Sequence, residues 1–194
     1  MSRDGDSGIA ILGWGSLIWD LEILEPHVAG GWAMGAGPAL PLEFSRVSPK
    51  RKRALAVCID GAAGAACPTN VIASARGGLS EAAADLAARE RAPGEMIGAV
   101  GRDGVRQGRS EIAEIVGAWC AAMGWAGAVW TDLRPNFATE TGVSFTVEAG
   151  RSYLQTLTGE SLAEAHRYIE SAPAATDTPL RRHLAACDWW QGLG

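Results

Sequence analysis

Short apolar runs, bounded by glycine, proline or charged residues, recur along the chain. The run at 9–12 is continuous and predicts a buried first strand. In residues 40–48 the pattern alternates, which places Leu40, Leu42 and Phe44 on one face and predicts a half-buried strand. Further apolar runs predict strands at residues 54–60, 70–75, 95–100 and 126–130.

Apolar residues three and four positions apart predict helices at 79–91 and 110–125. The first of these is rich in alanine, which favours a helix, and we expect Ser80 to cap its start. Further helices are predicted at residues 149–158 and 160–171, and from Pro179 onward, since proline suits a first helical position.

The order of these elements lacks the regular alternation of strand and helix that builds a parallel sheet. It predicts an α+β fold or an irregular mixed barrel. Residues 21–40 are rich in glycine and proline and are expected to loop over the surface. No internal repeat or linker divides the chain, so we expect a single domain over residues 1–194.

Charge and hydropathy exclude some partners. The formal net charge of -5 at pH 7 gives no electrostatic attraction for nucleic acid. No apolar stretch approaches the roughly 20 residues of a membrane helix. The first eight residues carry two aspartates and do not form the basic region of a secretory signal. We therefore expect a cytoplasmic protein that binds neither nucleic acid nor membrane.

The sequence predicts neither a metal site nor a cofactor. The three histidines, His27, His166 and His183, lie far apart, and the four cysteines form no C-x-x-C pair. We expect the cysteines to be reduced and structural.

Charged residues on and after the strand predicted at 40–48 are candidates for binding an anion. The run "PKRKR" at 49–53 is either a solvated hairpin turn or a local patch that attracts an anionic substrate. Arg46 is a candidate for holding a substrate carboxylate in a bidentate manner, the alternative being a surface salt bridge. The sequence leaves open the roles of Glu43, Thr131 and Asn136.

The loop after the first strand, Gly13-Trp14-Gly15-Ser16-Leu17, is the main candidate for chemistry. It lacks the third glycine and the following helix of a dinucleotide site, the Lys-Ser/Thr pair of a P-loop, and the G-x-S-x-G order of a nucleophile elbow. Glycines in such a loop expose backbone N–H groups that bind a carboxylate or a carbonyl oxygen. The alternative is a tight turn packed by two tryptophans.

The stretch "ILGWGSLIWD" resembles the loop of the γ-glutamylcyclotransferase-like superfamily, and most of all its glutathione-cleaving ChaC-like branch, whose motif is G-Y-G-S-L-I-W. The resemblance implies a mixed β-barrel with flanking helices that needs no metal or cofactor. It implies that the loop, residues Gly13, Trp14, Gly15, Ser16 and Leu17, binds a γ-glutamyl group. It also implies one glutamate acting as acid and base 70 to 80 residues downstream, a position that Glu90 in "ADLAARERAPGE" fits.

The helical spacing around Glu90 can be assessed independently of the resemblance. Glu90 continues the apolar stripe of the helix at 79–91, which consists of Leu79, Ala83 and Leu86. Burial and the negative end of the helix dipole favour the protonated carboxyl group that a general acid needs. A separate polar face is predicted for Glu81, Asp85 and Arg89, with an Asp85–Arg89 pair. The alternative is a glutamate that bends into solvent beside Arg89 and Arg91.

Other parts of the chain match the family less well. Trp14 stands where the family has tyrosine, and residues 101–137, which help to shape the substrate pocket in the family, do not align. Tyr153, Gly159 and Tyr168 resemble positions in the family's C-terminal helices, or are ordinary packing residues.

These features favour an enzyme that cyclises the γ-glutamyl part of a small amide or peptide to 5-oxoproline and releases the amine. The alternatives are a non-catalytic module that binds a small ligand, and a protein-interaction domain. Trp189 and Trp190, near the C-terminus, are the candidate contact for a homo-oligomer.

Overall fold

The computed structural model describes residues 8–193, so the acidic segment 1–7 considered above lies outside the described residues. The strands are β1 (Ile9–Gly13), β2 (Val28–Ala33), β3 (Ala39–Ser48), β4 (Ala54–Ile59), β5 (Ala65–Pro68), β6 (Asn70–Ser74), β7 (Ile97–Gly101), β8 (Arg106–Gln107) and β9 (Gly127–Thr131). The α-helices are α1 (Leu79–Glu90), α2 (Ser110–Met123), α3 (Phe137–Thr141), α4 (Val147–Thr156), α5 (Gly159–Glu170), α6 (Pro179–Ala185) and α7 (Asp188–Gln191).

The strands form one sheet of six and one of three, with the orders β2-β6-β1-β9-β7-β8 and β4-β3-β5. The larger sheet is mixed, because β1 runs parallel to β9 and antiparallel to β6. The predicted α+β class is confirmed. The predicted barrel is wrong for the described residues, since the larger sheet ends at two separate edge strands, β2 and β8.

The chain divides into two compact units. Among the described residues, the first unit comprises 8–13, 17–38 and 68–133, and the second comprises 14–16, 39–67 and 134–193. The single domain expected over 1–194 stays a prediction.

The first unit is built around the six-stranded sheet and helix α1. Every residue of β1 is buried, as the continuous apolar run predicts for a strand in the middle of a sheet. Helix α1 packs against β9, β7 and β1, with Ala82 and Leu86 directed into the core. The other buried residues of this core are Ile9, Ile11, Leu17, Leu24, Ile72, Ile97, Ala99 and Val129.

The second unit is built on the hairpin of β3 and β4. Leu40, Leu42 and Phe44 are all fully buried, as the alternation predicts. The predicted half-buried strand is wrong, however, because Glu43 and Ser45 on the opposite face are fully buried as well. The turn of the hairpin is a short 3-10 helix, Pro49–Arg51, followed by Lys52 and Arg53 at positive φ. Helix α5 packs on β4, and helix α6 packs on β3.

Two local predictions are wrong. Residues 21–40 are not only loop, because β2 pairs with β6 there, across an irregularity in the register. Ser80 does not cap α1, since the helix already begins at Leu79 with Gly78 as its N-cap. The pairing of β2 with β6 joins segments distant in sequence, which local composition does not reveal, whereas the N-cap of α1 differs from the predicted position by two residues.

The four cysteines are free thiols. In the part of the chain that the structure describes, no disulfide joins the four cysteines, and burial raises the pKa of the Cys120 thiol to about 11.

Across residues 8–193, no helix is long and apolar enough to cross a membrane.

Candidate active site

The carbonyl groups of the glycine loop are held by side chains from distant strands and loops. Within the first unit, Asn70 Nδ2 donates to the carbonyl oxygen of Gly13 over 3.0 Å. Within the second unit, Thr176 Oγ1 donates to the carbonyl oxygen of Trp14 over 3.0 Å. In a trans peptide the C=O and the N–H that follows it point in opposite directions. The two bonds therefore also set the directions of the N–H groups of Trp14 and Gly15. Gly15 is one of the predicted N–H donors.

Both loop glycines lie where a side chain does not fit. A Cβ on Gly13 would lie 2.7 Å from the Trp32 ring and 3.0 Å from Ile18 Cδ1. A Cβ on Gly15 would lie 2.7 Å from the Tyr168 hydroxyl oxygen and 3.1 Å from Val57. The close approach of backbone and ring explains the glycines in the opening stretch of the sequence.

Replacing Gly15 by alanine should therefore weaken both folding and turnover. The added methyl would push the loop from buried Tyr168, which we expect to cost about 1–2 kcal/mol of the free energy of unfolding. The displaced loop should lower kcat/KM for 5-oxoproline release by about 10-fold. Chemical denaturation and product assays measure the two effects. Gly61→Ala, at a position with no neighbour within 4 Å, is the control, and equal effects in both variants would contradict the prediction.

In the second unit Ser16 is hydrogen-bonded to Arg51, a member of the charge run at 49–53. Arg51 Nη2 donates to Ser16 Oγ over 2.7 Å, and Arg51 Nη1 donates to Glu164 Oε1 over 2.9 Å. The guanidinium carbon lies 4.1 Å from the ring centroid of Tyr168, the residue that approaches Gly15. Only 15% of the Arg51 side chain is exposed. The charge run at 49–53 therefore forms a hairpin turn, and one of its arginines, Arg51, contacts the loop at Ser16.

The first unit holds Leu17 and the C-terminal end of α1. Leu17 is buried in the same apolar core as Leu86, one turn before Glu90. Arg89 Nη2 donates to the carbonyl oxygen of Asp20, and Arg91 Nη2 donates to Glu22 Oε2 over 3.2 Å. The end of α1 is thus attached to the segment that follows the loop.

Glu90 is a largely covered carboxylate. Its side chain is 16% exposed, and its Oε1 accepts a hydrogen bond from Arg89 Nη1 over 2.9 Å. The predicted Asp85–Arg89 pair is wrong, because Asp85 accepts both Nε and Nη2 of Arg76 instead. Arg89 is not on the polar face either, since it is only 1% exposed. Glu90 is therefore neither on the charged face nor bent into bulk solvent.

The remaining candidates on β3 and after β9 have structural partners. Arg46 Nη1 donates to the carbonyl oxygen of Arg134, so its role in binding a substrate carboxylate stays a prediction. Asn136 accepts from the N–H of Val47 over 2.7 Å and donates to its carbonyl oxygen over 3.0 Å, extending the strand pairing. Thr131 ends β9 opposite Ile97.

Glu43 is a buried capping group. Its Oε1 accepts from the N–H of Phe44 over 2.6 Å, and its Oε2 accepts from the N–H of Leu180 in the first turn of α6 over 3.0 Å. Burial raises the pKa of this carboxyl above its usual 4.5, against the lowering effect of the hydrogen bonds from Thr178, Phe44 and Leu180.

The raised pKa of Glu43 predicts a pH dependence of stability. The folded chain binds this proton more tightly than the unfolded chain, so the proton-linked stability is complete below about pH 4.5 and is lost as the pH rises through the folded pKa. The free energy of unfolding of the wild type, relative to Glu43→Gln, should fall over that interval. Urea unfolding of both proteins from pH 4 to pH 8 measures the difference, and parallel curves would contradict the expectation.

The C-terminal aromatic residues lie in the second unit. Tyr153 donates to the carbonyl oxygen of Arg53 over 2.7 Å, whereas Gly159 begins α5. Trp190 is fully buried and its Nε1 donates to Glu170 Oε1 over 2.7 Å, so it is not an exposed contact for a second copy, and that part of the prediction is wrong. Trp189 is half-buried, and its ring lies 5.7 Å from that of Trp190.

The structure distributes the predicted site residues as follows: Gly13, Leu17 and Glu90 belong to the first unit, and Trp14, Gly15, Ser16 and Arg46 to the second. Within residues 8–193, no group of three or more His, Cys, Asp and Glu side chains is placed to hold a metal ion. Comparisons with protein-family models, curated proteins and solved structures found no match. The resemblance of the loop to the γ-glutamylcyclotransferase-like superfamily therefore stays a prediction.

Proposed function

We propose that this protein is a γ-glutamyl cyclotransferase, which converts the γ-glutamyl part of a small γ-glutamyl amide or peptide to 5-oxoproline and releases the amine. The main supporting observation is the environment of Glu90. It is a covered carboxylate at the end of a helix that is attached, through Arg89 and Arg91, to the segment following the glycine loop. A general acid and base requires such a fixed carboxyl group.

In the proposed reaction the substrate supplies its own nucleophile. The α-amino nitrogen attacks the γ-carbonyl carbon, a C–N bond closes the five-membered ring, and the C–N bond to the amine half breaks. Because the nucleophile is tethered, the protein has mainly to hold the folded conformer, and well-oriented intramolecular attack reaches effective molarities of about 10⁵ M or more.

Two further tasks are assigned to protein groups. Glu90 takes a proton from the substrate ammonium group and returns it to the leaving amine, a contribution of about 10²- to 10⁴-fold. Backbone N–H groups of Gly15, Ser16 and Leu17 stabilise the oxyanion or anchor the α-carboxylate. The bonds to the Gly13 and Trp14 carbonyl oxygens support this role, because they orient the loop before substrate binds.

A product assay tests the proposal. The purified protein is incubated with glutathione and with a panel of γ-glutamyl dipeptides and γ-glutamyl amines, and mass spectrometry measures 5-oxoproline. Release of 5-oxoproline from one panel member supports the cyclotransferase and names the amine half. Calorimetric binding of a panel member without product instead supports the non-catalytic module, for which the replacement of the family tyrosine by Trp14 is the favouring observation.

A further inference from the structure

Arg51 is a cation of the second unit that contacts the loop residue Ser16. Its guanidinium lies on Ser16 Oγ and over the ring of Tyr168, and the Tyr168 hydroxyl in turn lies beside Gly15. Two loop residues that are proposed to bind the γ-glutamyl group thus contact one arginine–tyrosine pair. Stacking on an aromatic ring fixes the plane of a guanidinium group, which prepares it for directed hydrogen bonds.

The charge on Arg51 is only partly compensated. Its partner Glu164 also accepts Nε and Nη2 of Arg167, over 2.9 and 2.8 Å, so one carboxylate is shared between two arginines. Arginine has five N–H donors, and Ser16 and Glu164 engage two of those on Arg51. The group of Arg51, Glu164 and Arg167 therefore carries a net positive charge and has donors left for an anion.

Two other cations of the hairpin, Lys52 and Arg53, differ from Arg51. Lys52 is paired with Glu160, and Arg53 with Glu140, and more than half of each of these cationic side chains is exposed. Exposed ion pairs of this kind contribute little to the free energy of folding, and they do not hold a cation in one orientation for binding a ligand. Arg51, by contrast, is held at the loop by its hydrogen bond to Ser16.

We infer that Arg51 is a specificity-determining residue that binds the α-carboxylate of the γ-glutamyl substrate. The inference rests on the proposed function and adds to it the group that recognises glutamate. A carboxylate accepts two parallel hydrogen bonds from a guanidinium, and a γ-glutamyl amide differs from a 4-aminobutyryl amide by that carboxylate alone. The loop N–H groups are then left to stabilise the oxyanion.

A substrate pair tests the inference. The productive γ-glutamyl compound is compared with its 4-aminobutyryl analogue, which cyclises to 2-pyrrolidinone by the same ring closure but lacks the α-carboxylate. With Arg51→Gln, kcat/KM for the γ-glutamyl compound should fall about 10- to 100-fold through KM, because a hydrogen-bonded charge pair is lost. With the analogue it should change less than about threefold, since that pair does not form.

Two further variants complete the experiment. Arg51→Lys keeps the charge but not the planar pair of donors, and should give an intermediate loss on the γ-glutamyl compound. Arg53→Gln, in the same hairpin, is the matched control and should leave both substrates unchanged. Thermal unfolding of each variant shows whether the fold is retained.

The outcomes separate this inference from the proposed function. If the wild type releases 5-oxoproline and Arg51→Gln lowers turnover of both compounds equally, Arg51 only holds Ser16 in place and the inference fails. If Arg51→Gln leaves the ratio of kcat/KM between the γ-glutamyl compound and its 4-aminobutyryl analogue unchanged, the inference also fails. The proposed cyclotransferase activity is not affected by that result. If the wild type releases no 5-oxoproline from any panel member, the proposed function fails and the inference fails with it.

Discussion

Glu90→Gln should lower kcat for 5-oxoproline release by about 10²- to 10⁴-fold, because an amide can neither take the proton of the substrate ammonium group nor return it to the leaving amine. The glutamine oxygen can still accept the hydrogen bond from Arg89 Nη1, although the ion pair with this buried arginine is lost, so stability has to be measured beside turnover. Mass spectrometry of 5-oxoproline under saturating substrate measures the loss.

The control for this substitution is Glu81→Gln, which removes an exposed carboxylate from the first turn of the same helix. Its turnover should equal that of the wild type. Thermal unfolding of both variants separates a chemical defect from a loss of folded protein. A folded Glu90→Gln protein with full turnover would remove Glu90 from the mechanism.

Gly98→Ala should lower the free energy of unfolding by about 3 kcal/mol, because overpacking a rigid buried site has few ways to relax. Gly98 on β7 lies opposite Trp130 on β9, and a Cβ there would lie 2.0 Å from the indole Cε2 and 2.3 Å from Cζ2 and Nε1. Trp130 is fully buried, so its ring cannot move into solvent.

Differential scanning calorimetry measures the effect, which corresponds to a fall of roughly 6–12 °C in Tm for a chain of this size. Gly31→Ala on β2 is the control, since a Cβ at Gly31 has no neighbour within 4 Å and its backbone has an ordinary φ. If both variants melt at the same temperature, Gly98 and Trp130 are not packed as described.

The candidate site could be predicted only in part. The glycine loop and Glu90 are predicted from a short motif and from the spacing along one helix, which are local features. Arg51 was considered only as one member of a charged turn, because its contact with Ser16 joins residues 35 positions apart. For the same reason, the sequence left Arg46 as a candidate either for a substrate carboxylate or for a surface salt bridge, and did not reveal its hydrogen bond to the carbonyl oxygen of Arg134, 88 positions away.

Helix α1 shows why burial is harder to predict than helix formation. Its alanine-rich composition is sufficient to predict the helix over nearly its observed length. The face that enters the core, however, includes Arg89, whose charge argued for the surface. Arg89 is buried because the carboxylate of Glu90 and the carbonyl oxygen of Asp20 accept its hydrogen bonds, and these partners are properties of the folded unit.

By itself, the sequence determined the positions of most strands and helices and the α+β class, whereas the tertiary structure placed the rings of Trp32 and Tyr168 against the loop glycines. Apolar periodicity and glycine are local signals, and the backbone responds to them over a few residues. The tertiary structure decided that the larger sheet is open and that Arg51, among five residues of a charged turn, reaches the loop. It also decided that Arg89 is buried. Each of these depends on a partner far away in the chain, which only packing brings into contact.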